Sequence, residues 1–562
     1  MVRENYWTTA RTSRRRIIGG TAVAAAGLGA AGLVGCGGND SGKGGGGSPT
    51  ALPNSTPRTT EAAQPKKGGI LRLAGGPLQA NIDVHSVVGN NMYHYISNFL
   101  VRYKPDGTLE GDVAASLPEI TDGGLTLIFK IRPEVVWQKR PPVNGRKFDA
   151  EDVVKTFMRI KDPATASPRK ANYDVVDSIT APDAQTVVFK LSRPSAGLLA
   201  AMADQYDSMV PKEYFGVANA ITKAENVVGT GPYELTEYSV GKGYKLRRRA
   251  DGYWRPNTAW IDGIDYTDIN AEGAPVVNAL RSNQSDVGQI TPEELAAFQA
   301  DKNFQVIKFV GNSRDVVQLN HKKAPYNDPR VRKAISLALE RRRVYETVFG
   351  GLGAINAAVT AAATFWTLPE KELDNLPGYR KDRDADLKEA KALLSAAGLG
   401  SGYSDTIKTV SRAQVNEVND LTVSALKKIG FELKVNDVGT DFGPLIKFES
   451  ERDYNIATSV KQSGIDPDLQ LSLYHQTGGS RNYCDYSNAD MDKKLQAQSV
   501  EFDSAKRREM VYEIQRILAN EPGPGWLGSR GGAIAFRKTV HNYTFMNWPD
   551  DYHNAENMWL DT

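Results

Sequence analysis

Hydrophobic and polar positions recur along this chain with two periods, and the two meet between residues 316 and 348. Val316, Val317 and Leu319 make a short β-type run. Asp328 and Pro329 follow, a good N-cap and a proline suited to the first helical position. Val331, Ala334, Ile335, Ala338, Leu339 and Val348 then fall on one face, which predicts a long amphipathic helix reaching Val348. Strand, proline-marked loop and helix together predict the entry to a new α/β lobe. Further alternating runs predict strands over 69–74, 125–132, 186–191, 431–435 and 454–460. Helical spacing predicts helices over 91–100, 384–398, 419–429, 489–499 and 504–519, another opening at Asp149, and a strand–helix pair over 280–299. No long repeat recurs, so a solenoid is not expected. The mixture predicts an α/β to α+β chain in several lobes.

At 562 residues the chain is too long for one core. Charge is abundant but balanced, at 69 basic against 66 acidic residues. Residues 1–35 carry five arginines and one glutamate, so removing their +4 from the formal +3 leaves −1. That argues against a nucleic-acid partner, which needs a basic surface. Two cysteines, Cys36 and Cys484, exclude a disulfide scaffold or a multi-cysteine zinc site.

The first 35 residues carry an address rather than a fold. Ser13-Arg14-Arg15-Arg16-Ile17-Ile18 is a twin-arginine-type start, and Ile17 to Val34 is apolar but rich in Ala and Gly. Leu33-Val34-Gly35-Cys36 resembles the bacterial lipobox, whose cysteine thiol takes up diacylglycerol. The run is long enough to span a bilayer. Its low bulk and the position of Cys36 favour a lipoprotein signal instead, with twin-arginine export ahead of general secretion. Gly27-Leu28-Gly29-Ala30-Ala31-Gly32 mimics a dinucleotide-binding pattern but has no preceding strand. Gly37 to Lys67 is Gly, Ser, Pro and Thr with almost no apolar bulk, a flexible tether beyond the lipid. The expected location is extracytoplasmic, on the outer face of the cytoplasmic membrane, periplasmic or at the cell surface.

Seven stretches in one order carry a resemblance. They are G-D-V-A-A-S-L (111–117), F-D-A-E-D-V-V (148–154), V-V-G-T-G-P-Y-E-L (227–235), G-Y-W (252–254), N-H-K-K-A-P-Y-N-D-P-R-V-R-K-A-I (320–335), A-K-A-L-L-S-A-A-G (390–398) and N-Y-C-D-Y-S-N-A-D-M-D (482–492). Together they resemble extracytoplasmic solute-binding proteins of family 5, the peptide and nickel uptake class. The resemblance implies a type II periplasmic-binding-protein fold: two lobes, a hinge and an extra subdomain. It puts lobe I at 68–106, 223–312 and 531–562, the subdomain at 107–222 and lobe II at 313–530, after the signal (1–35) and tether (36–67). It implies a monomer that closes on a peptide or other small polar solute and passes it to an ABC permease with its ATPases. A ligand-binding sensor using the same trap is the alternative, and a secreted enzyme of another class a more distant one.

Candidate ligand residues follow from the same resemblance. The loop Val88-Gly89-Asn90-Asn91 and Tyr95 behind it sit where lobe I of similar peptide binders meets ligand; a surface loop is the plain alternative. Trp366 is a candidate pocket wall, against an ordinary core tryptophan. Arg412 could face ligand or solvent. Similar binders carry an aspartate about three positions before a D-P or E-P pair, holding the ligand's α-amino group. Here Asp466-Pro467 is the pair but the position is Ser463, preceded by Lys461 and Gln462. Lys461 is therefore a candidate for a ligand carboxylate or phosphate, and a sugar or opine-like solute is open beside a peptide. No G-x-S-x-G or H-E-x-x-H occurs, and none of the six histidines (85, 94, 321, 475, 541, 553) pairs at i,i+4. No catalytic residue, metal or cofactor is expected.

Overall fold

Two long strands, Phe304–Leu319 and Gly525–Arg537, run antiparallel through the middle of the protein and organise its main sheet. In this computed structural model of the chain, residues 64–561 are described except 87–90, 205, 270–272, 412, 440–441, 463 and 546–550. The export signal, Cys36, Val88, Gly89, Asn90, Arg412 and Ser463 lie outside the described residues. Of the expected tether only 64–67 are described, and Lys66 there pairs with Asp561 at 3.2 Å.

The sheet has two wings. On one side Val287–Ile290 pairs with the upper part of Gly525–Arg537, and Ile70–Gly75, Gly263–Asp268, Gly243–Arg248 and Tyr233–Ser239 follow outward. On the other, Ile456–Gln462 pairs with Ser313 to Leu319, and Tyr403–Thr409 and Phe431–Asp437 follow in parallel. The crossing strands change register between Val310 and Arg314 and again between Asp315 and Val316. The sheet therefore passes from one wing to the other where the regular ladder is interrupted. Gly531 is required there: an added Cβ would stand 2.1 Å from Gly353 N, because the short strand Gly353–Ala354 pairs with Ser529 and Arg530.

A separate four-stranded antiparallel sheet, ordered Glu119–Thr121, Thr126–Lys130, Thr186–Leu191 and Val176–Asp183, lies within the 107–222 region. Helix Ala150–Lys161 packs on it. Asp149 caps that helix reciprocally, accepting from Glu151 and Asp152 backbone N–H groups while the Asp152 side chain accepts from its own. Phe129, Phe157 and Phe189 meet edge-to-face in its core, with ring centres 5.4–5.7 Å apart.

Two predicted helices are corrected. The helix opening at Asp328 and Pro329 ends at Ala338, and a second runs Arg341–Thr347. The break lets Arg341 turn inward, donating to Trp526 O at 2.7 Å, Ser336 O at 2.8 Å and Gly378 O at 2.7 Å. The helix expected over 91–100 is one turn, Tyr93–Ile96. Beyond it Phe99 N–H donates to Asp112, and Ile96 O accepts from Gly231 N at 2.7 Å. A Cβ on Gly229 would lie 2.0 Å from Ile96 O, which explains the glycines of the V-V-G-T-G-P stretch.

Candidate functional site

The junction between the wings is built from charged residues inside an apolar run. Arg530 donates to Asp315 through Nε at 2.9 Å and Nη2 at 2.7 Å, and through Nη1 to Gln414 at 3.0 Å. Burial, the larger effect, pushes the Asp315 carboxyl up, and the Arg530 guanidinium opposes it. Ser529 Oγ donates to Asn356 Oδ1 at 2.7 Å, accepts from Ala361 N at 3.1 Å and contacts the Thr360 hydroxyl at 2.7 Å. Arg314 is fully buried, stacks 3.7 Å from the centre of the Trp526 ring and donates to Ala358 O. Burial pushes its pKa down to about 10. The interruption F-V-G-N-S-R-D-V-V is the trace of this junction in the sequence.

The expected ligand residues that are described take varied positions. Gln462 is exposed at the end of its strand, paired with Ser313, and its carbonyl accepts from Tyr474 Oη and Arg481 Nη1, each at 3.4 Å. Lys461 is buried and its ammonium is held by Glu449, which also accepts from Gln318. Its charge is therefore balanced inside the protein rather than offered to a ligand anion. Asp466 is likewise engaged, by Arg507 through two bonds of 2.7 and 2.8 Å. Arg507 lies 5.1 Å from the centre of the half-buried Trp366 ring, so Trp366, Arg507 and Asp466 form one cluster. Tyr95 is buried in the first wing's core, edge-on to Tyr233 at 6.4 Å, and Asn91 is exposed. Arg507, Glu449 and Asp315–Arg530 escaped the sequence reading because each acts through a partner distant along the chain.

Burial sets the protonation state of buried histidines and of the buried cysteine thiol. Burial pushes His321 and His475 down to about 3 and His85 to about 4, so these rings are neutral near pH 7. Burial pushes the Cys484 thiol up to about 12, which makes it inert. Among the described residues no group of three His, Cys, Asp or Glu could hold a metal, and no helix is long and apolar enough to cross a membrane.

The sequence pattern that defines bacterial extracellular solute-binding proteins, family 5 (middle region), matches residues 108–483. The chain belongs to that family. It is 25% identical over 495 residues to the dipeptide-binding protein of Escherichia coli (strain K12), covering 82% of this chain and 88% of that one. Its fold is that of type II periplasmic peptide-binding proteins. The periplasmic binding protein DppA of Helicobacter pylori, solved with the peptide STSA, superposes with a TM-score of 0.68 at 22% identity, covering 88% of this chain and 99% of that one. AgaA of A. tumefaciens R10, solved with agropinic acid, gives a TM-score of 0.67 at 22% identity, covering 88% and 99%. As a family 5 protein the chain binds a solute and is not an enzyme.

Proposed function

We propose that this protein is the lipid-anchored substrate-binding component of an ABC importer. It captures a peptide or another small polar solute between two lobes and delivers it to a membrane permease with its ATPases. The observation that carries this reading is the junction: two wings of one sheet share a single pair of crossing strands, interrupted between Val310 and Arg314. Two rigid halves on a narrow connection can close around a ligand, which stabilises the closed state by its differential affinity. Lobe I comprises 68–106, 223–312 and 531–562, the subdomain 107–222, and lobe II 313–530. Cys36 carries the lipid and the tether keeps the body near its permease at high local concentration.

A peptide is the first candidate, since relatives such as the dipeptide-binding protein of E. coli carry that name. A second reading, a sugar, opine-like or other polar solute, is favoured by one feature: Lys461 to Ile465 contains no carboxylate for a ligand ammonium. Native mass spectrometry of the purified full chain decides between them. A ladder of retained masses spaced by amino-acid residues supports peptides, and one defined small mass supports the second reading. Recovery of a chemically altered solute contradicts both. Co-purification with a permease and its ATPases separates import from sensing.

A further inference from the structure

The 107–222 subdomain meets the 313–530 region around Ala196 and Gly197, and that contact connects back to the crossing strands. Ala196 N donates to Ser499 O at 2.8 Å. Next to it, Gly197 is buried against two carboxylates: an added Cβ would stand 3.3 Å from Asp466 Oδ1 and 3.4 Å from Asp468 Cβ. A Cβ on Gly124 would lie 2.7 Å from Phe502, so the contact continues along the rim.

The carboxylates facing Gly197 are held from behind. Asp466 is fixed by Arg507, and Asp468 accepts from Gln498 Nε2 at 2.8 Å and from the Ser472 hydroxyl. Asp468 opens helix Asp468–His475, whose other residues reach the junction. Gln470, fully buried, accepts from Thr360 N at 2.7 Å, and Thr360 in turn contacts Ser529 on the crossing strand. Tyr474 meets Trp526 edge-on at 5.4 Å, and His475 Nε2 accepts from the Trp526 indole at 3.4 Å.

We propose that Gly197 and the Asp466–Asp468 pair form a closing latch, and that helix Asp468–His475 couples this latch to the crossing strands. The residues are positioning residues for ligand capture, and the proposal rests on the two-lobe trap reading above. When the halves meet, Gly197 admits the two carboxylates to van der Waals contact and Ala196 gains its partner. The helix, tied at its first turn to the latch and at Gln470, Tyr474 and His475 to the junction, then holds Thr360 and Trp526 in their closed arrangement. A Cβ at 197 already crowds the ion-paired Asp466 carboxylate at 3.3 Å, so a side chain of leucine's length cannot be placed there without displacing it.

Hydrogen exchange read by mass spectrometry on the full chain, with a pool of tripeptides or of opine-type acids added, tests this directly. Gly197→Leu should speed exchange about tenfold in the peptide containing Ala196, the change expected when about one hydrogen bond's worth of local stability is lost. The coupling predicts a similar acceleration in the peptide containing Thr360. Gln470→Ala, which leaves the latch face untouched, should accelerate the same two peptides. It keeps the test open if Gly197→Leu fails to fold. Acceleration at both places supports the proposal. Acceleration confined to the mutated neighbourhood, or none, overturns it. The wild-type protein with and without each pool is a separate arm. If neither protects the wild-type Ala196 peptide relative to the solute-free protein, the trap reading fails; if protection occurs and both variants leave it unchanged, the latch alone fails.

Discussion

The two ends of the crossing strands are held by different forces. From Ser313 to Leu319 and Gly525 to Ser529 the pair is gripped by side chains: Arg314 on Trp526, Asp315 by Arg530, Gln318 by Glu449, and Ser529 by Asn356 and Thr360. From Phe304 to Val310 and Gly531 to Arg537 the two strands keep a regular ladder with two adjacent glycines, Gly531 and Gly532, and Phe309 stacks on Phe545 at 4.0 Å. The lower end is welded to the second wing by buried polar bonds, the upper end to the first wing mainly by backbone pairing and apolar contact. The proposed closure would bend the pair at the break between them, where the register of the ladder shifts.

Substitutions can break this contrast. The largest effect is expected at the lower end. Arg530→Met would strand the buried Asp315 carboxylate and should cost about 3–5 kcal/mol in denaturant unfolding. At the break, Gly531→Ala drives a Cβ against Gly353 backbone and should cost about 1–3 kcal/mol, with the short strand Gly353–Ala354 released first in hydrogen exchange. At the lower end again, His321 and His475 are neutral when folded but titrate near 6.5 when exposed. The unfolded chain then binds more protons, so stability falls as pH drops below 6.5 toward 3 and levels off beyond. The first pH unit should remove about 1 kcal/mol per ring, and His475→Gln should flatten the profile. At the upper end, Phe309→Leu trims a half-buried ring and should cost only about 0.5–1 kcal/mol. A loss at Phe309 equal to that at Arg530 would erase the distinction between the ends.

Local signals in the sequence carried far. Asp149 and Asp328 cap helices as their surroundings predict, and the helices Ala489–Ser499 and Ser504–Asn520 lie where their spacing puts them. The type II fold was legible through seven short motifs, and the structure supplies a steric reason for one of them at Gly229 and Gly231. The break after Ala338 was not legible, because it depends on where Arg341 finds carbonyl oxygens 37 and 185 residues away. The same limit applies to the site. Lys461 and Asp466 stood out as charges near a proline, but their partners are 12 and 41 residues distant. Periodicity reports which face is buried; it carries no information on which opposite charge waits there.

Small-angle X-ray scattering of the purified protein, first alone and then saturated with a solute shown to bind by native mass spectrometry, is the most direct trial of a trap bending at the 310–314 break. The radius of gyration should fall on saturation, and Gly197→Leu should blunt that fall. A radius unchanged while the solute is demonstrably bound would contradict the account.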